Sequence, residues 1–393
     1  MRLGSGNRSV RRQVMGLVVL GAVAAACSRS PGGGEDRPDP VPGAEWAVES
    51  PEDHGMDPAV LDGARRYAFA EGMNTQGVVV VRDGVIVAEW YADGADSESW
   101  AASWSVAKSF TSALIGIAIE EGEIPGVDEP MTTYYPEWAG TPRAGVTLRD
   151  VLQMSSGLDW VENYDPAAID ESDIIQMVLF QADQLAYASD RPSRVDAGTH
   201  WSYSSGDTML LSGVLEQATG MPAHEYAREK LFDPLDMEQV DWWRDAAGHT
   251  LTYCCLDTTS RGFARLGLLY LRAGRWGNER VVPGSWVRDS LEDAPASDDV
   301  GYGYQWWLAG VEGAPGDLFA ARGHDGQYIF VIPSLDLVVV RNGTYVKDPG
   351  EPVADPNLFG KYPSDGLVPG RGTDRPAHWD DAAFLAPVIE SID

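Results

Sequence analysis

The apolar positions of this chain change period several times, and each change predicts an element. A helix is expected over 58–71. Runs rich in Val, Ile, Trp and Tyr at 77–82 and 85–91 flank Asp83-Gly84, which predicts two strands closed by a tight hairpin turn. From Val106 to Ile119 the apolar residues are too dense for one stripe, so the helix they form is buried on most sides, and Glu120-Glu121-Gly122 ends it. Strand patterns then stop, and helical patterns at 148–154, 172–187 and 208–219 take over. Strand patterns return at 302–308, 318–321, 327–332 and 335–340, with helices expected at 258–273, 284–291 and 381–392. Strands from both ends of the chain are expected to join one antiparallel sheet flanked by helices. The fold class is therefore α+β, with 46–124 and 246–393 forming the α+β domain and 125–245 an inserted, mostly helical domain. The Pro- and Gly-rich stretch 345–380 reads as a long surface loop.

The first residues follow a different logic. Arg2, Arg8, Arg11 and Arg12 precede a short apolar run, 14–26, which is too brief to span a bilayer. Residues 1–26 read as an export signal, with a loose twin-arginine resemblance. Ala24-Ala25-Ala26-Cys27 resembles a bacterial lipobox, so Cys27 is the expected lipidation site and 27–45 a tether. This places the protein in the cell envelope, on the outer side of the cytoplasmic membrane, touching it only through the lipid. A net charge of −31 and the lack of a basic tract beyond residue 12 exclude nucleic acid as a partner. The remaining cysteines, Cys254 and Cys255, are adjacent; neighbouring cysteines rarely bridge, and they read as two small buried side chains at a helix start. No Cys/His cluster has metal spacing, so no metal or other cofactor is expected.

Chemistry concentrates in three places. In Ser105-Val106-Ala107-Lys108 a hydroxyl and an amine lie one helical turn apart within an apolar segment. Burial disfavours a charged lysine, and a neutral amine can take a proton from serine. The N-terminal end of the helix favours a developing anion. Taken alone the four residues also fit an N-cap serine and a surface lysine. Trp201-Ser202-Tyr203-Ser204-Ser205-Gly206-Asp207 then puts a tyrosine in a Ser/Gly-rich turn before a helix, able to project its hydroxyl into a cleft. Arg322-Gly323-His324-Asp325-Gly326-Gln327 brackets His324 and Asp325 with glycines that permit close approach of a ligand.

Together these stretches resemble the three ordered motifs of the serine β-lactamase-related family: S-x-x-K, Y-x-N/S and K/H-x-G. Further landmarks are Pro51-Glu52-Asp53-His54-Gly55, the run from Leu148 to Leu158, and the run from Asp336 to Gly343. The details are most similar to the 6-aminohexanoate-dimer hydrolase-like branch. The resemblance implies that Ser105 attacks an acyl carbon, Lys108 accepts its proton and Tyr203 relays it to the leaving group. It also implies an oxyanion hole from the backbone N–H groups of Ser105 and Gln327, and substrate contacts from His324, Asp325 and Gly326.

The expected activity is that of a serine hydrolase cleaving small carboxylic esters or amides through an acyl-enzyme on Ser105. β-Lactamase or D-Ala-D-Ala carboxypeptidase activity is the alternative. His324 stands where enzymes acting on carboxylate-bearing substrates commonly carry Lys, which argues against it, although Arg322 is close enough in sequence to substitute. A non-catalytic lipoprotein binding cell-wall fragments would not need Lys108. Tyr164, after the Ser155-Ser156-Gly157 landmark, is either a pocket residue or a plain loop aromatic.

Overall fold

The computed structural model describes residues 41–165, 170–297, 300–344, 376 and 378–393. The export signal, Cys27 and nearly all of the 345–380 loop lie outside the described residues.

In chain order the elements are helix α1 (Pro58–Ala68), strands β1 (Thr75–Arg82), β2 (Val85–Tyr91) and β3 (Trp100–Ala102), and helix α2 (Ala107–Glu120). Helices α3 (Leu148–Leu152), α4 (Asp173–Phe180), α5 (Gln184–Ser189), α6 (Ser205–Thr219) and α7 (Ala223–Ala227) follow. The chain continues through β4 (Val240–Trp242), β5 (Leu256–Thr259), α8 (Ser260–Leu271), the small hairpin β6 (Arg275–Trp276) and β7 (Glu279–Arg280), and α9 (Gly284–Ser290). Strands β8 (Phe319–Gly323), β9 (Gln327–Ile332) and β10 (Leu337–Gly343) precede a terminal helix, Asp381–Glu390.

Five strands form one sheet in the order β2-β1-β10-β9-β8, so strands from both chain ends do share an antiparallel sheet. The β1–β2 turn is Asp83-Gly84, with φ of 52° and 81°, the left-handed pair a two-residue hairpin requires. Alternation then sorts the side chains. Val79, Val81, Ile329, Val331, Val338 and Val340 face one apolar cluster with α2 and α8. Val78, Val80, Phe330, Ile332 and Val339 face a second cluster with α1 and the terminal helix. The sheet is buried on both faces, which is why its strands read as continuous apolar runs rather than alternating ones. Helix α8 approaches closely at Gly267, where a Cβ would lie 2.5 Å from Val338 Cγ1.

Several expectations are corrected. The described part of 125–245 is mostly helical, but it ends in strand β4, and its α6 shares an apolar core with α2. The single helix expected over 172–187 is two, because Gln181 is extended and the Asp183 side chain caps α5 by accepting from the Ala186 N–H. The strand expected over 302–308 is reduced to isolated bridges at Tyr302–Trp307 and Trp307–Ala320, since Gln305 turns the chain with φ of 63°. A three-stranded sheet, β3-β5-β4, went unread because its strands are three or four residues long. Cys254 and Cys255 are joined by a disulfide, against expectation, and they precede a strand rather than a helix. Cys255 accommodates the bridge in the left-handed region, at φ of 65°.

Candidate active site

Ser105 sits in a 3-10 turn, Trp104–Val106, immediately ahead of α2. Trp104 is held at φ of 45°, an unfavourable conformation for a bulky residue. Two bonds to β5 hold the turn: the Ser103 N–H donates to Leu256 O at 2.9 Å, and the Leu256 N–H donates to Ser103 Oγ at 2.9 Å. Ser105 is not a capping side chain, so its hydroxyl is available to Lys108.

Lys108 is buried, 1% exposed, in the first turn of a helix enclosed from Ala107 to Ala118. Its Nζ lies 3.0 Å from Ser105 Oγ, 3.1 Å from Ser205 Oγ and 3.0 Å from the carbonyl of Tyr253. Burial pulls the ammonium down to about 8, while the Glu162 carboxylate pulls the other way. The amine can therefore lose its charge near neutral pH.

Tyr203 arrives from the turn before α6. Ser204 caps that helix by accepting from the Asp207 N–H at 2.9 Å. The Tyr203 ring is stacked 5.5 Å from Trp307 and lies 5.0 Å from Lys108 Nζ. Its hydroxyl shares a hydrogen bond with Ser105. Burial first, then Glu162, pushes the phenol well above its ordinary value, so it stays protonated and able to donate. An amine one turn along the chain and a phenol about a hundred residues away thus converge on one hydroxyl.

The third motif lies against the same turn. A Cβ on Gly323 would meet the Ser103 carbonyl at 2.5 Å and Trp104 Cβ at 3.1 Å, so only glycine lets β8 come this close. The His324 ring lies between Trp104 and Tyr164, at 5.3 and 5.1 Å, and its Nδ1 is 2.6 Å from Asp325 Oδ1. Asp325 and Gly326 take left-handed φ values of 59° and 79°. The fully buried Arg341 guanidinium donates to both of their carbonyls at 2.7 Å. The Gln327 N–H closes the turn on the His324 carbonyl, so oxyanion service would mean sharing it with that oxygen. Arg322 is committed elsewhere: it is ion-paired with Asp381 of the terminal helix, and its guanidinium lies over the Tyr328 and Phe330 rings. It does not stand in for the missing lysine of the motif.

Tyr164 is at the site, 37% exposed, with its hydroxyl donating to Glu162. Sequence reasoning passed over Glu162 itself. Its carboxylate accepts from the Ser205 hydroxyl at 2.6 Å, the Ser205 N–H at 2.9 Å and Trp160 Nε1 at 2.5 Å, besides Tyr164. In a chain with 60 acidic residues nothing local marks this one; only its place two residues before Tyr164 pointed nearby. The Tyr253 carbonyl carries no signal in the sequence at all, whereas Ser205 was already marked as the last position of the Y-x-N/S motif.

The family model described as Beta-lactamase matches residues 65–357. The 6-aminohexanoate-dimer hydrolase of Paenarthrobacter ureafaciens is 28% identical over 289 residues, 68% of this chain and 72% of that protein. Among solved structures, a Bacillus anthracis protein assigned as a 6-aminohexanoate-dimer hydrolase aligns with a TM-score of 0.62 at 22% identity, covering 78% of this chain and 83% of its own. EstCE1, a hydrolase with promiscuous acyltransferase activity, aligns at 0.61 and 15% identity, covering 73% and 93%. The chain belongs to the β-lactamase family and is a serine hydrolase of it. Membership does not select the acyl group it cleaves.

Proposed function

We propose that the protein cleaves small linear amides or esters through an acyl-enzyme on Ser105. The observation that carries this reading is the convergence of a buried amine and a half-buried phenol on the Ser105 hydroxyl. Ser105 Oγ attacks the carbonyl carbon as its proton passes to neutral Lys108, forming the C–O bond and an oxyanion. The Tyr203 hydroxyl gives its proton to the leaving nitrogen or oxygen as the scissile bond breaks, and is reprotonated from Lys108. Water then attacks the acyl-enzyme by the same relay in reverse, releasing the acid and restoring Ser105. Backbone N–H groups of Ser105 and Gln327 are the proposed oxyanion donors; one such donor is worth about 10²–10³ in rate.

Two findings favour linear substrates over β-lactams and D-Ala-D-Ala peptides, which carry a carboxylate on the carbon next to the scissile amide nitrogen. His324 replaces the customary lysine, and Arg322 is held by Asp381. The amide-cleaving relative supports the same ranking. The test is one preparation assayed on p-nitrophenyl butyrate, a linear ω-amino-acid dimer and nitrocefin. Turnover of nitrocefin well above the other two would reverse the ranking. Ser105→Ala should abolish labelling by a fluorophosphonate probe, and stoichiometric labelling of that variant would remove Ser105 from the nucleophile's role.

We also propose, from the pattern at 1–27, that the enzyme works outside the cytoplasm on a lipid carried by Cys27. Cys27→Ser should move it from the membrane fraction to the soluble one.

A further inference from the structure

The three partners of Lys108 are not equivalent, and the difference depends on Glu162. An ammonium has three N–H bonds and can donate to Ser105 Oγ, Ser205 Oγ and Tyr253 O together, which accounts for all three contacts. A neutral amine has two N–H bonds and one lone pair, so one contact must reverse. Catalysis as proposed above needs that contact to be Ser105, because the lone pair must face the proton it removes. The Tyr253 carbonyl has no proton to offer. A serine hydroxyl does, and Ser205 could in principle present its proton to Lys108 and capture the lone pair.

Glu162 prevents this. A carboxylate only accepts, and its Oε1 lies 2.6 Å from Ser205 Oγ, so the single hydroxyl proton of Ser205 is spent on Glu162. The Ser205 N–H donates to Oε2 of the same group at 2.9 Å, which fixes the carboxylate over the start of α6. Trp160 and Tyr164 complete its set of donors. Ser205 is thereby an obligatory acceptor towards Lys108. With two fixed acceptors taking the two N–H bonds, the lone pair of the neutral amine has one direction left.

We infer that Glu162 is a positioning residue which, acting through Ser205, assigns the lone pair of neutral Lys108 to Ser105. The assignment rests on the Ser105–Lys108 reading above and adds to it a reason for a carboxylate beside the base. The other titratable groups facing the amine are Tyr203 and Tyr253, whose rings lie 5.0 and 5.6 Å away. The Glu162 charge also supports protonation of Lys108 against burial, so its removal has a second signature, in the pH profile.

The experiment compares the wild type with Glu162→Gln, Ser205→Ala, the double variant and Ser105→Ala. It reads the rate of Ser105 labelling by a fluorophosphonate, and the pH dependence of kcat/KM on p-nitrophenyl butyrate. In Glu162→Gln the amide can donate to Ser205 and turn its proton onto Lys108. Labelling should slow by about tenfold to a hundredfold with KM little changed, the scale of a misdirected catalytic group. The acid limb of the profile should move to lower pH. Ser205→Ala should slow labelling comparably, and the double variant should be no slower than the worse single one, because both act through one chain of bonds. Wild-type labelling by Glu162→Gln, or losses in the two variants that add in full, would overturn the inference. If Glu162→Gln does not fold, Ser205→Ala decides alone, and wild-type labelling by it is equally fatal. Labelling that persists in Ser105→Ala instead sinks the underlying reading, so the two failures are distinct.

Discussion

Lys108 Nζ stands 3.0 Å from Ser105 Oγ, and burial holds its ammonium near 8. The amine is the only lysine nitrogen placed this way among the described residues, and its charge state sets whether the serine can be activated.

The pH profile follows. A base lowered from 10.5 to about 8 is mostly protonated at pH 6 and mostly neutral at pH 9. kcat/KM should therefore climb with pH, about tenfold per unit well below 8, and level off above it. Steady-state assays with an amide substrate between pH 6 and 9 measure this; a flat profile would remove Lys108 as the base. Lys108→Arg, which keeps its charge throughout, should lose about 10²–10⁴ in kcat.

Charge at the third motif should be adjustable. His324→Lys puts a cation where the motif usually has one, beside the Trp104 and Tyr164 rings. A charge-assisted contact of about 1.5–3 kcal/mol would raise kcat/KM for nitrocefin about tenfold or more relative to p-nitrophenyl butyrate. Arg322→Ala should leave that ratio unchanged, because Arg322 is paired with Asp381. A fall in the ratio in Arg322→Ala would show the guanidinium serving the cleft after all.

Asp207 links stability to pH. It is buried, accepts from Ser156 Oγ at 2.8 Å and Ser204 Oγ at 3.1 Å, and burial raises its carboxyl to about 7. The native state keeps this proton up to about pH 7, whereas an unfolded aspartate releases it near 3.8. The stability it contributes is full below about pH 4 and is lost as pH rises through 7, a swing on the order of 4 kcal/mol. Asp207→Asn should remove that component. Thermal melts from pH 4.5 to 8 should show the wild type losing ground to the variant as pH rises; parallel curves would contradict the assignment.

Gly116 tests the packing of α2. A Cβ there would fall 2.3 Å from the Trp286 ring of α9. Gly116→Ala should destabilise by about 1–3 kcal/mol through overpacking, despite alanine's better helix propensity. Denaturant titration reads the difference, and an unchanged midpoint would mean that α9 yields freely.

The Cys254–Cys255 bridge predicts a chemical result. Alkylation of the denatured, unreduced protein should leave both cysteines unmodified, and prior reduction should expose both. Peptide mass mapping decides, and alkylation without reductant would show two free thiols.

Much of this was legible from local pattern. The β1–β2 turn is written in Asp83-Gly84, and α2 in its dense apolar run, because hairpin turns and buried helices depend on neighbours in sequence. The three motifs were readable because each packs its reactive groups within a few residues. Elements of three or four residues, such as β3 and β4, carry too little periodicity to stand out; their partner β5 lies about 150 residues away from β3 in the chain.

What tertiary structure alone decided is the company each group keeps. Pattern and composition established an acidic α+β chain, and the resemblance of its motifs marked a serine, a lysine and a tyrosine for acyl transfer. They carried no information on Arg322 turning to Asp381, on the Tyr253 carbonyl reaching Lys108 across 145 positions, or on Glu162 holding Ser205. A hydrogen bond acts over about 3 Å whatever the chain separation, so the choice of one carboxylate among many is made by how helices and loops pack.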